Sequence, residues 1–100
     1  MAPTANDKIR SESLDRLFSA ILTLQNVEEC YDFFVDVCTV HEMKAMAQRL
    51  DVAAMLTEAR TYLDIGEATG ASTATISRVN RCLRYGSDGY QLVFSRIKPE

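Results

Sequence analysis

The sequence predicts an all-α chain, and two observations carry that expectation. Apolar residues recur at spacings of three and four along most of its length, and Asn, Thr or Ser stands ahead of several of these runs. No stretch reads convincingly as a strand. One hundred residues, 47% hydrophobic and 25% charged with four glycines and two prolines, suit a single small domain. The same figures exclude disorder, collagen-like repeats and a coiled-coil rod.

Residues 1–10 are polar with nothing to pack, so they read as a flexible tail ahead of one helical domain over 11–100. Leu14, Leu17, Phe18, Ile21 and Leu22 then outline one face of a first helix. Asn26 followed by Glu29 resembles a capping box, the Asn accepting orphan N–H bonds while the Glu returns to the cap. Behind it Val27, Cys30, Tyr31, Phe34 and Val37 keep helical register, although β-branched and aromatic residues also suit a strand there. The cap, and the absence of a turn before Thr39, decide for helix. Thr39 with Glu42 forms a second capping box, and Met43, Met46, Ala47, Leu50, Ala54 and Leu56 continue as a helix to Thr57. A stripe rich in Met and Ala reads as core.

Net charge is misleading here. The total of −3 conceals five basic against ten acidic residues over 1–59, whereas 70–98 carries Arg78, Arg81, Arg84, Arg96 and Lys98 against Asp88. Either an anionic partner is met at the basic end or that end is a solvated helix face. The longest uncharged stretch, Leu17–Val27, is broken by Ser19, Thr23, Gln25 and Asn26, too short and too polar to span a membrane. The start, MAPTANDKIR, has no apolar leader segment. Cys30, Cys38 and Cys82 match no metal spacing and accompany one histidine, so reduced thiols in a cytosolic protein are expected, the first two as core. No Ser or Cys has a His and an acid arranged around it; His41 reads as a solvated residue in the first turn of its helix. Neither a catalytic nor a metal site is expected.

The segment YLDIGEATGASTATISRVNRCL, with its flanks at 61–84, reads as a helix-turn-helix. Ile65 anchors the first helix, Gly66 stands at its closest approach to the second, and Gly70 takes the positive φ of the turn. Ala71 is small enough to sit half-buried in the turn, and Ser72 caps the second helix. Ile76 and Val79 point inward against Ile65. Thr69 departs from the pattern, since an apolar residue is more usual there. On the second helix Ser72, Thr73, Thr75 and Ser77 are short hydroxyl groups suited to base edges or phosphates, and Ala74 suits a thymine methyl. Arg78, Arg81 and Arg84 follow at intervals of three, placed to line a phosphate backbone. The alternative is an ordinary αα-hairpin whose hydroxyls only cap and solvate.

Thr39–Arg84 resembles the Trp repressor family, and within it the small TrpR-related proteins of the YerC/YecD type. The resemblance rests on the Thr39–Glu42 helix start, the helix bearing Arg49, and GASTATISR at 70–78; RCLRYGSDGY at 81–90 resembles the YerC-type branch. It implies an all-helical fold, an intertwined homodimer sharing one core, and cytoplasmic action at the bacterial nucleoid. It further implies a transcriptional regulator, a repressor by analogy, bound to a palindromic double-stranded DNA operator through residues 73–84. Thr39, Arg49 and Arg78 match the family's corepressor positions. Val79 and Cys82 replace the glycine and serine of the tryptophan pocket, so no tryptophan-type corepressor is expected, and Arg49 reads as an ion-pair partner of Asp51, Asp64 or a carboxylate of a second copy. The alternatives are a dimeric scaffold for protein–protein interaction and a repressor with some other small-molecule corepressor.

Overall fold

The computed structural model describes residues 5–97; Lys98 and the first four residues of the expected tail lie outside them. All regular structure among the described residues is helical. A single 3-10 turn, Ala5–Lys8, precedes α1 (Glu12–Ile21), α2 (Val27–Val37), α3 (Val40–Thr57), α4 (Tyr62–Thr69), α5 (Thr73–Tyr85) and α6 (Gly89–Arg96). No helix among the described residues is long and apolar enough to cross a membrane.

Side-chain caps set most of the helix starts. Ser11, Asn26, Thr39, Thr61 and Ser72 each accept the backbone N–H three residues on, at 2.9–3.1 Å. At Thr39 the box closes reciprocally, its own N–H donating to Glu42 Oε1 at 2.8 Å. At Asn26 it does not: Glu29 instead accepts the N–H of Gln25, one residue upstream of the cap.

The chain forms two compact units, residues 1–43 and 44–100. In the first, neither α1 nor α2 buries a residue, and Phe18, Leu22, Val27, Tyr31, Val35 and Val37 are all exposed. The Phe33 and Phe34 rings meet edge-on with centroids 5.4 Å apart. Cys30, expected in the core, is exposed, and Cys38 is only partly covered. The apolar stripes formed helices as their spacing required, with Leu14, Leu17, Ile21, Phe33 and Phe34 only half-buried.

The second unit has a true core. Val52 and Ala53 of α3, Ile65 of α4, Ala71 of the turn, and Ile76 and Val79 of α5 are buried together. Met55, Leu56, Leu83, Tyr90 and Phe94 pack against them. Each large aliphatic side chain so buried contributes about 1.5–3 kcal/mol. The stripe expected on α3 is corrected in part: Leu56 packs against the core and Met43 and Ala54 are half-buried, but Met46 and Leu50 stay 40% and 38% exposed while Val52 and Ala53 reach 0%. The covered face of α3 runs Ala45, Gln48, Arg49, Val52, Ala53 and Leu56, a 3-1-3-1-3 spacing on a different side of the helix. Apolar residues lie on both sides of α3, and this chain buries only one.

Two helix ends are unusual. After α3, Ala59 adopts φ 59°, its N–H bonding Leu56 O while the N–H of Arg60 bonds Met55 O at 3.1 Å. This Schellman closure normally uses glycine, and alanine in the left-handed region stores about 1–2 kcal/mol. After α5, a Cβ on Gly86 would overlap the Cys82 carbonyl that accepts Gly86 N–H, so only glycine permits this exit.

Candidate nucleic-acid interface

The α4–turn–α5 unit is held by backbone conformation, burial and one threonine. Gly70 takes φ 75° and donates its N–H to Gly66 O at 2.9 Å, closing α4. Ala71 is 8% exposed, and Ile65, Ile76 and Val79 are at 0–1%. A Cβ on Gly66 would stand 3.5 Å from Ala71 O, an ordinary contact, so alanine also fits at this approach.

Thr69 explains its departure from the apolar pattern. Its Oγ1 donates to Ile65 O at 2.7 Å and accepts Ala71 N–H at 3.1 Å. Its carbonyl, which the end of α4 would otherwise leave orphaned, accepts from Gln48 Nε2 at 3.1 Å. A valine would supply none of the hydroxyl bonds. A second cross-tie joins the helices where Asn80 Nδ2 donates to Tyr62 Oη at 3.3 Å. Nothing in the local pattern marks Gln48, Thr69, Tyr62 and Asn80 as partners, because the pairs are separated by 18 to 21 residues.

On the outer side of α5, Thr73, Ala74, Ser77, Arg78, Arg81 and Arg84 are exposed. Ser72 and Thr75 are committed elsewhere: Ser72 Oγ accepts Thr75 N–H and donates to Thr75 Oγ1 at 3.1 Å. Thr73 and Ser77 therefore present the hydroxyls that have no partner among the described residues. None of the three arginines is ion-paired among the described residues, where the pairs are Arg10–Asp7 and Arg60–Asp64. Unlike α1 to α4, α5 has no acidic residue in its first turn. Its N-terminal partial positive charge is left uncompensated and favours anions. A cleft of about 450 Å³ lies alongside, lined by Tyr62, Leu63, Gly66, Glu67, Thr73 and Ile76.

The expected effector positions behave differently from one another. Arg49 is half-buried and makes no ion pair among the described residues; Asp64, one of its expected partners, sits 3.9 Å from Arg60 instead. Thr39 spends its hydroxyl on the α3 cap. Arg78 is exposed, Cys82 is exposed, and Val79 is 1% exposed with its methyl groups in the core. No group of three or more His, Cys, Asp or Glu side chains is assembled for a metal among the described residues.

Residues 12–98 match the family described as Trp repressor protein. The chain is 56% identical over 92 residues to the uncharacterized protein YerC of Bacillus subtilis (strain 168), covering 92% of this chain and 88% of that one. A crystal structure of a TrpR-like protein from Eubacterium eligens superposes with TM-score 0.87 at 59% identity, over 90% of this chain and 93% of the other. A crystal structure from Staphylococcus aureus reaches TM-score 0.89 at 51% identity, over 94% of each chain. The likeness runs through nearly the whole length of these relatives, and the chain belongs to the Trp repressor family, in its YerC-like branch.

Proposed function

We propose that the protein is a homodimeric DNA-binding transcriptional regulator, a repressor by family analogy, acting in the cytoplasm at the nucleoid. The observation that carries this reading is α5: a rigidly seated helix whose outer side bears Arg78, Arg81 and Arg84, all exposed and without an ion-pair partner among the described residues. In the proposed complex the first turns of α5 enter the major groove, where Thr73, Ala74 and Ser77 meet base edges. The arginines neutralise phosphates and set register. Ser72 and Thr75 act chiefly through the cap that orients the helix. A two-fold dimer presents two such helices and calls for a palindromic operator.

Selection from a random double-stranded DNA pool, followed by anisotropy titrations at several salt concentrations, tests this reading. Arg81→Ala is expected to weaken binding to every sequence and lower the salt slope by about 0.9 for each phosphate that is no longer neutralised. Thr73→Ala is expected to change the preferred sequence, reducing discrimination at the affected base pair by about 1–3 kcal/mol. A parent protein with no affinity for DNA at low salt would leave the dimeric protein-interaction scaffold as the better reading.

A further inference from the structure

We infer that Tyr85 extends the nucleic-acid surface of α5 beyond the arginines, touching the sugar–phosphate backbone as an uncharged group. This rests on the DNA-binding reading above, and Tyr85 lies just beyond the helix-turn-helix at 61–84. Tyr85 is the last residue of α5 and is 81% exposed. Its hydroxyl has no hydrogen-bond partner among the described residues, and its ring stacks on none of them.

Its register is the argument. With Ile76 and Val79 fixing the inner side of α5, the outward stripe at 100° per residue passes through Ala74, Ser77, Arg78, Arg81 and Tyr85. Arg84 falls to the flank of this stripe, near Thr73. Tyr85 stands one turn, about 6 Å, beyond Arg81 along the axis, and about 16 Å from Ala74. A recognition helix reads bases with its N-terminal residues, so its last turn rises out of the groove against a phosphate strand. Tyrosine suits that place, because its O–H donates to a phosphate oxygen while its ring covers the adjoining sugar. The helix ends there as well: Gly86 is its C-cap, and the exit it takes would bring a side chain at that position against the Cys82 carbonyl. The stripe is therefore small and polar at its reading end, cationic in the middle and aromatic at its exit.

The test uses the full-length protein and the duplex selected by the parent, with Tyr85→Ala, Tyr85→Phe and Arg81→Ala measured side by side. Tyr85→Ala is expected to weaken binding about tenfold, the scale of a hydrogen bond to a charged group. Because tyrosine releases no counterion, its salt slope should stay at the parent value, whereas that of Arg81→Ala falls. Tyr85→Phe should recover part of the affinity, since the ring remains. If Arg81→Ala weakens binding and Tyr85→Ala does not, the inference fails while the DNA-binding reading stands. If Tyr85→Ala shifts the monomer–dimer equilibrium but not the affinity of the assembled dimer for DNA, Tyr85 serves the interface between copies and the inference is overturned. A parent that binds no duplex overturns both.

Discussion

Thr69 and Val79 show how single side chains decide what the shared scaffold can do. Thr69 occupies a position where an apolar residue is usual, yet its hydroxyl ties Ile65 O to Ala71 N–H across the turn. Thr69→Val keeps the shape and leaves the part-buried Ala71 N–H without its acceptor, at a cost of about 1–3 kcal/mol. Urea unfolding at fixed protein concentration measures this; an unchanged midpoint would mean that water replaces the hydroxyl at no cost. Val79 is the more consequential residue for ligand choice. Being 1% exposed, it is part of the packed core beside Arg78, where a ring could enter only by displacing it. Overpacking of that kind costs about 1–3 kcal/mol. Calorimetry with millimolar L-tryptophan is therefore expected to give no saturable heat, and a micromolar Kd would show that the pocket had reorganised around Val79.

Among the helices, the start of α3 offers the clearest electrostatic test. The backbone N–H of Thr39 donates to the Glu42 carboxylate, the Thr39 side chain adds to this, and His41 contributes a weaker charge effect. Together these hold the Glu42 carboxyl below the usual glutamate range, against a small opposing effect of desolvation. A carboxylate whose value is lower in the folded state stabilises fully above the ordinary glutamate range, and that contribution fades as pH falls through the depressed value. NMR titration of the side-chain carboxyl should place Glu42 below a free glutamate, and Thr39→Ala, which removes the hydroxyl but keeps the backbone N–H, should raise it only part of the way back. Removing the cap itself is expected to cost about 1 kcal/mol. If Glu42 titrates normally in the parent, the capping box is open in solution.

For the molecule as a whole, the question is what covers the apolar surface that one chain leaves open. Isolated helices of fewer than about 12 residues are marginal in water. Yet α1 has 10 residues, α2 has 11, and neither buries a side chain within the chain. The uncovered side of α3, with Met46 and Leu50, poses the same problem within the second unit. Pooling these faces with a second copy resolves it, as the proposed dimer requires. The thermal midpoint should then rise with protein concentration, and sedimentation should find dimer at micromolar concentration. A compact monomer there would count decisively against the shared core. Deleting residues 1–25 should abolish cooperative folding, since α1 would be part of the core instead of an appendage.

Local signals in the sequence determined α1 to α5, because a cap, a turn glycine and a 3-4 periodicity act within a few residues of one another. They do not predict α6, which opens at Asp88 with φ 62° and no side-chain cap. Asn26, Thr39, Gly70 and Ser72 could each be read in isolation, and the buried trio Ile65, Ile76 and Val79 follows from placing two short helices across one turn. Periodicity alone could not decide which side of α3 is inside, because that helix is apolar on two sides and only packing against α4 and α5 selects Val52 and Ala53. Nor could it find the Gln48–Thr69 and Asn80–Tyr62 bonds. Such pairings depend on where the chain returns in space. Burial and long-range hydrogen bonds are properties of the assembled fold, whereas helix propensity and capping are already present in the neighbouring residues.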